Sequence, residues 1–294
     1  MSDTVLNQAS QPAPAGSPGA PAEAKEGSAL WREIKGLFWV LLAVLVFHSL
    51  VAKPFYIPSE SMMPALLKGD RLVVSKYAYG WSWVSPSFHV WPEQSGRIFG
   101  RLPTPGDIVI VTPPGRREDY IKRAIALPGD TVEVRDGRLL INDVPVRRQV
   151  RPDVIVPVDA NAPCGVDQFP GFLVQQADGG FACRLPVVRE TLPNGASYDT
   201  LDLGASQGDD YGPIKVPANH VFLMGDNRDR SADSRFALGL PENGLGGPVP
   251  WEYIGGRAEF ITFSLDGSLT WWNPISWVQS LRGGRAGTSL RTGV

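Results

Sequence analysis

The sequence predicts a mainly β protein: an antiparallel β-sheet domain with an inserted second β region, preceded by one N-terminal transmembrane helix. Three observations carry this. The chain holds 32 glycines and 27 prolines among 294 residues, a share that favours many turns and short strands. Hairpin turn pairs recur at Asp136-Gly137, Asp178-Gly179 and Asn194-Gly195, each suited to a tight connection between antiparallel strands. Beyond one apolar run there is neither a long amphipathic helix nor an alternation of strands with helices, which argues against a parallel sheet.

Taken in order, residues 1–28 are rich in Ala, Pro, Gly, Ser, Gln and Glu with little to bury, and the segment 1–35 reads as a disordered tail. The apolar run Leu37–Ala52 follows, flanked by Trp31, Arg32 and Lys35 and then by Lys53 and Tyr56. We assign 36–53 as a membrane anchor, short but able to span when flanking residues reach back to the interface. A buried core helix is the alternative, although no polar stripe interrupts the run. A cleavable leader is disfavoured by the long polar tail and the absence of a basic start. Strands are expected at Arg71–Tyr79, Asp107–Val111, Glu118–Ala126, Thr131–Val134, Arg138–Asn142, Val221–Met224 and Tyr253–Phe263.

The loop Gly80–Gly100 carries Trp81, Trp83, Phe88, Trp91 and Phe99. These rings either tuck beneath the core or rest in a membrane interface, where amphipathic aromatics are favoured. The same choice applies to Trp271, Trp272 and Trp277 in the segment 266–294, whose end beyond Arg282 reads as disordered. A net charge of −2 offers nucleic acid no general attraction. Two cysteines, Cys164 and Cys183, are too few for a disulfide scaffold or a four-ligand zinc site. No metal or cofactor is expected.

Three stretches carry chemistry. In Phe55–Pro64, Ser59 and Ser61 are bracketed by Pro58 and Pro64, which stiffen the backbone around two candidate nucleophiles. A serine needs a base. The histidines His48, His89 and His220 belong to no Ser/His/Asp motif, and Ser-x-x-Lys fails because Pro64 follows Ser61 at the lysine position. A lysine serves if neutral, which requires lowering a pKa of about 10.4 by burial. Lys122 is the best candidate: its strand face carries Tyr120, Ala124 and Ala126, whereas Lys68, Lys76 and Lys215 lie in charged or turn-like contexts. The third stretch, Met224–Arg235, is dense in Asp, Asn, Arg and Ser. It lacks the glycine and glutamate of a calcium loop, so a self-paired ionic loop that offers Ser231 fits better.

These stretches, in this order behind an anchor, resemble the bacterial type I signal peptidases. The matching residues are Pro58-Ser59-Glu60-Ser61-Met62-Met63-Pro64, then Tyr120-Ile121-Lys122-Arg123 with Leu127-Pro128-Gly129-Asp130, then Gly225-Asp226-Asn227-Arg228-Asp229 and Ser231-Ala232-Asp233-Ser234-Arg235. The resemblance implies a signal-peptide endopeptidase that cleaves after a small residue, with Ser61 as nucleophile and Lys122 as neutral base. Ser59 and the Ser61 N–H would form the oxyanion hole. Ser231 would orient the lysine, with Asp233, Arg235, Asp226 and Arg123 as bracing charges. Phe55, Ile57, Tyr120 and Ile121 would line the substrate pockets, and Glu60, where the family often has a small residue, would face solvent.

It further implies a catalytic domain over 54–265, with the second β region at about 131–218, outside the cytoplasm of a bacterial inner membrane, and the tail inside. Outside, Cys164 and Cys183 could pair. The implied partners are signal peptides of secreted precursors and the lipid bilayer, with no nucleic acid, for a monomeric enzyme. Other readings are another Ser/Lys protease on this scaffold and a silent membrane-anchored binding module. A self-cleaving repressor would need a DNA-binding domain in place of the tail and anchor.

Overall fold

The computed structural model describes residues 26–88, 91–165, 169–239 and 241–292. The first 25 residues of the expected tail and His89 lie outside the described residues. The chain divides into two units, Met1–Ala43 and Val44–Val294.

Helix α1 spans Glu26–Leu50, and its segment Ala29–Leu50 is long and apolar enough to cross a membrane. It corrects the expected boundaries at both ends. Residues 26–35 are helical rather than disordered, because Ala29, Leu30, Arg32, Glu33 and Lys35 are good helix formers that extend the ladder of the apolar run. At the other end the helix stops at Leu50, not at residue 53. Pro54 lacks an N–H and disfavours helix in the residue before it, and Ala52–Tyr56 becomes strand β1. Within the second unit the helix end is capped by the aromatic loop: Trp81 Nε1 donates to Leu50 O at 2.9 Å, and the Ser87 N–H donates to Ser49 Oγ at 3.0 Å.

The remaining strands are β2 (Asp70–Ser75), β3 (Ile108–Val111), β4 (Tyr120–Ala126), β5 (Thr131–Arg135), β6 (Arg138–Ile141), β7 (Val144–Pro145), β8 (Arg147–Pro157), β9 (Leu173–Gln175), β10 (Phe181–Thr191), β11 (Ser197–Leu201), β12 (Tyr211–Lys215), β13 (His220–Met224), β14 (Val249–Pro250) and β15 (Ile254–Ser264). Seven form an antiparallel sheet in the order β1-β2-β15-β3-β4-β13-β14. Residues 131–215 supply two further four-stranded sheets, β11-β10-β8 with β9 against β10, and β12-β5-β6-β7. The protein is thus mainly antiparallel β behind one apolar helix.

Two features of the main sheet position the site. β1 lies at the sheet edge and pairs only with β2. β4 pairs with β3 from Tyr120 to Arg123, but β13 joins it only from Arg123 onward, opposite Met224. Among the described residues, Tyr120–Lys122 therefore keep one side of the strand without a sheet partner. Apolar side chains of the turn after β1 fill the core beside these strands: Ile57, Met62 and Leu66 pack with Leu72, Ile110 and Ile121.

The Gly80–Gly100 loop is divided between core and surface, whereas Trp271, Trp272 and Trp277 are all exposed. Trp83 is buried, but Phe88, Trp91 and Phe99 are exposed. Near the C-terminus Trp271 and Trp272 are exposed, and Pro274–Gln279 forms helix α2, capped by Asn273. The described residues beyond Arg282, 283–292, are ordered against the sheet, contrary to expectation. They pair with the edge of β15 that the short β3 leaves open: Ile261 N–H donates to Thr288 O at 3.0 Å, and Leu290 N–H to Glu259 O at 2.9 Å. An uncovered edge is a liability for association, and covering it relieves that.

A buried ion pair ties the second β region to the main sheet. Arg228, just after β13, donates to both carboxylate oxygens of Glu190 on β10, at 2.8 and 2.6 Å. Truncating one partner of such a pair strands the other charge in the interior. Arg228→Ala is expected to destabilise the protein by about 3–5 kcal/mol, measured by urea unfolding in a fixed detergent.

Candidate active site

Ser59 and Ser61 lie on the turn between β1 and β2. Asn227, in the loop leaving β13, fixes that turn by two bonds: its N–H donates to Ser61 O at 3.1 Å and its Nδ2 to Glu60 O at 3.2 Å. The side chains of the two serines meet, Oγ to Oγ at 3.3 Å. Lys122 approaches from β4, and its Nζ donates to Ser61 Oγ at 3.0 Å. Both residues are buried, at 7% and 4% exposure. Lys122 Nζ also lies 5.5 Å from the centre of the Tyr120 ring.

Burial is the chief influence on the amine and pushes its pKa down to about 8; Asp233 and Asp226 pull it up, and Arg235 pushes it down. Each carboxylate is occupied by a fixed guanidinium. Arg123 forks onto Asp226, with Nε at 2.7 Å, and anchors to Gly106 O at 2.6 Å. Arg235 forks onto Asp233 with both contacts at 3.0 Å and bonds Arg228 O at 2.6 Å. Burial acts to raise the Asp233 pKa, but Arg235 and the N–H groups of Gly225 and Arg235 outweigh it and hold it below the usual range.

Ser231 departs from expectation. Its Oγ is buried and makes no hydrogen bond among the described residues, so it does not hold the Lys122 amine in this state. Instead its side chain packs against Gly225, where an added Cβ would collide with Ser231 Oγ and meet Ser61 O at 2.5 Å. That collision explains the glycine. The Ser231 loop and the Ser61 turn approach each other over a position with no room for a side chain.

A cleft of about 310 Å³ opens beside the serines, lined by Phe55, Pro58, Tyr120, Ile121, Arg230 and Ala232 together with Ser59, Ser61 and Lys122. The floor differs from expectation at one residue. Ile57 is fully buried and does not line the cleft, although it shares a strand face with Phe55; its N–H donates to Asp70 O at 3.0 Å and its carbonyl accepts from Gly69 N–H at 2.9 Å, which seats the side chain among Met62, Leu66 and Leu72. Glu60 is half-buried.

No described histidine lines the cleft; His220 is half-buried, with Nδ1 against Ala218 O. Lys76, passed over in the sequence as charged in context, is a second buried lysine. Burial lowers its pKa to about 8 against the opposing pull of Asp119. Its alternation partner in the sequence, Val74, is a core residue, and that was the available signal. Cys164 and Cys183 form a disulfide with Cα atoms 5.7 Å apart, in a cluster that also holds Met63 and Leu67 from the Ser61 turn. The roles of Asn227 and Gly225 had no signal beyond membership of a motif, since both depend on contacts with a segment over 150 residues away.

A model of the family described as signal peptidase, peptidase S26, matches residues 30–263. The signal peptidase I of Rickettsia typhi is 34% identical over 278 residues, covering 88% of this chain and 93% of its own. That of Rickettsia bellii is also 34% identical, over 82% of this chain and 75% of its own. A signal peptidase I structure from Enterococcus faecalis aligns at 24% identity with a TM-score of 0.26, over 53% of this chain and 97% of its own.

The buried lysine carries a stability consequence. Unfolded, Lys122 binds its proton up to its ordinary pKa of 10.5; folded, it gives the proton up near 8. Between those values the unfolded state holds more protons, so stability from this group rises with pH, and the destabilisation is fully present below pH 8. Lys122→Met is therefore expected to raise the melting temperature at pH 7, by the equivalent of about 1–3 kcal/mol. The gain should shrink at pH 10, read by scanning calorimetry at both values.

Proposed function

The chain belongs to the signal peptidase family as a type I serine peptidase acting on signal-peptide-bearing precursors, and from this premise we propose that it works as a membrane-anchored Ser/Lys endopeptidase. The single observation that carries the mechanism is the 3.0 Å contact between Lys122 Nζ and Ser61 Oγ in a buried setting.

Lys122 in its neutral form accepts the Ser61 proton as Ser61 Oγ attacks the scissile carbonyl carbon. The carbonyl oxygen takes up the negative charge and is met by the Ser61 N–H and the Ser59 hydroxyl, a kind of stabilisation worth about 3 kcal/mol per donor. As the C–N bond breaks, the Lys122 ammonium returns the proton to the leaving amine. The signal fragment is then held as an ester on Ser61. Water attacks the ester, Lys122 takes its proton and passes it back to Ser61 Oγ, and the fragment leaves as a carboxylic acid.

Asp233, Arg235, Asp226 and Arg123 brace the lysine by fixing the charges around it, and Ser231 offers a hydroxyl that can turn to the amine once Ser61 is acylated. The precursor lies extended beside the unpaired side of Tyr120–Lys122 and the Phe55–Ser59 segment, adding its backbone to the strand. Phe55, Tyr120 and Ile121 bound shallow pockets for small side chains. Ile57 supports Ile121 from beneath. Helix α1 anchors the enzyme as a single-pass inner-membrane protein, with residues 54–265 outside the cytoplasm and the N-terminal tail inside. Residues 131–218 form the inserted region, and the enzyme acts as a monomer.

A gel assay of precursor cleavage in detergent tests the dyad. Ser61→Ala and Lys122→Ala should each abolish processing while the folded signal in circular dichroism persists; near-normal processing by Lys122→Ala would sink the dyad. Ser59→Ala should lower kcat by about 10²-fold without ending turnover; an unchanged kcat removes Ser59 from the oxyanion site. Because the base must be neutral and its pKa is about 8, kcat/KM should rise through pH 8 and level off above it. A profile flat from pH 6 to 9 would contradict a lysine base.

A further inference from the structure

The C-terminal segment after α2 reaches the nucleophile turn at Ala65 and, through Asp70, at Leu67. Arg285 Nε donates to Asp70 Oδ1 at 2.9 Å, and its Nη2 to Asp70 Oδ2 and, at 3.1 Å, to Ala65 O. Asp70 is fully buried, and its Oδ2 also accepts the Leu67 N–H at 2.8 Å. Ala65 and Leu67 end the turn that begins at Ser61, a turn closed by Met63 N–H to Glu60 O and Leu66 N–H to Met62 O. Three residues upstream of Arg285, Arg282 forks onto Asp159 at 2.8 and 2.7 Å and bonds Lys68 O at 2.7 Å. Farther on, Leu290 enters the core cluster that holds Ile57, Met62 and Leu66, the residues on either side of Ser61.

We propose that residues 282–290 are a positioning strap for the nucleophile, with Arg285 as its main positioning residue. This deepens the dyad reading above and rests on it. Ser61 lies on a loop between an edge strand and β2, and such a loop has no sheet partner to fix its height. Asn227 holds it at Glu60 and Ser61; Arg285 holds it at Ala65 and, through Asp70, at Leu67, and Leu290 packs with Met62 and Leu66. A guanidinium is required because one planar fork must satisfy a buried carboxylate and a main-chain carbonyl together, which an ammonium point charge does less well. Small displacements of a reacting atom cost rate steeply, about 10²-fold for 1 Å.

The test compares full-length Arg285→Ala and Arg285→Lys with wild type in detergent, measuring kcat and KM on one precursor peptide well below each protein's melting temperature. Arg291→Ala is the control, since Arg291 is exposed and pairs with Glu259 outside the strap's contacts with the turn. Arg285→Ala should lower kcat by about 10-fold or more with KM within about twofold, Arg285→Lys should recover part of it, and the control should match wild type. A kcat per folded molecule equal to wild type in Arg285→Ala overturns the strap. If Arg285→Ala does not fold, Arg285→Lys decides, because it keeps Asp70 compensated: wild-type kcat overturns the proposal and a reduced kcat supports it. Ser61→Ala run in parallel separates the two readings, since residual turnover there would discard the dyad itself, whereas its inactivity with an unaffected Arg285→Ala discards only the strap.

Discussion

On the proposed Ser/Lys reading, a lysine that can be neutral near physiological pH is the constraint on which this architecture depends. Water would restore the ammonium, so Lys122 must be buried; yet two carboxylates, Asp226 and Asp233, lie near enough to favour the charged form. Their pairing with Arg123 and Arg235 answers that conflict. Each guanidinium offsets a negative charge that would otherwise favour the protonated amine, and each is tied to main-chain carbonyls so the compensation stays in place. The ion pairs thus serve the lysine more than they serve stability, in keeping with the modest net worth of buried pairs.

The nucleophile turn is fixed by parts of the chain that are remote from it in sequence. The Gly225–Asn227 loop, the cluster around Cys164 and Cys183, and the C-terminal segment all converge on Glu60–Leu67. None of these contacts is local. A turn held only by its two prolines would keep its shape but not its place, and place is what a 3.0 Å contact demands.

This division also explains what could be read from the sequence. The seven expected strands followed from β-branched runs and turn pairs and fall within a few residues of β2–β6, β13 and β15, whereas β1, β7–β12 and β14 had no strand assigned to them in the sequence. Ser59, Ser61, Lys122 and the ionic loop were legible because their residue types are unusual for their settings. The failures lie where tertiary contacts decide. Ile57 read as a pocket residue beside Phe55, but the turn that follows packs Met62 and Leu66 against it and closes it into the core. Lys76 read as one more lysine in a charged or turn-like context; charges do lie near it in space, Asp119, Lys53 and Arg97, but burial outweighs them, and burial is set by the fold. The end of the chain, with its Gly, Ser and Thr, looked disordered because its two useful arginines find their acids only after folding.

The unpaired side of Tyr120–Lys122 has a further consequence. A strand edge grips any extended backbone alike, since every residue but proline offers the same N–H and C=O. On the proposed reading, such an edge makes the enzyme indifferent to most of what a precursor's side chains are, leaving discrimination to the shallow floor formed by Phe55, Tyr120 and Ile121. Selection then works as a size filter applied at a few positions along an otherwise generic ribbon. One enzyme can in this way serve many exported proteins that share no sequence, and a proline next to the cut, which breaks the backbone grip, becomes the natural way for a precursor to escape it.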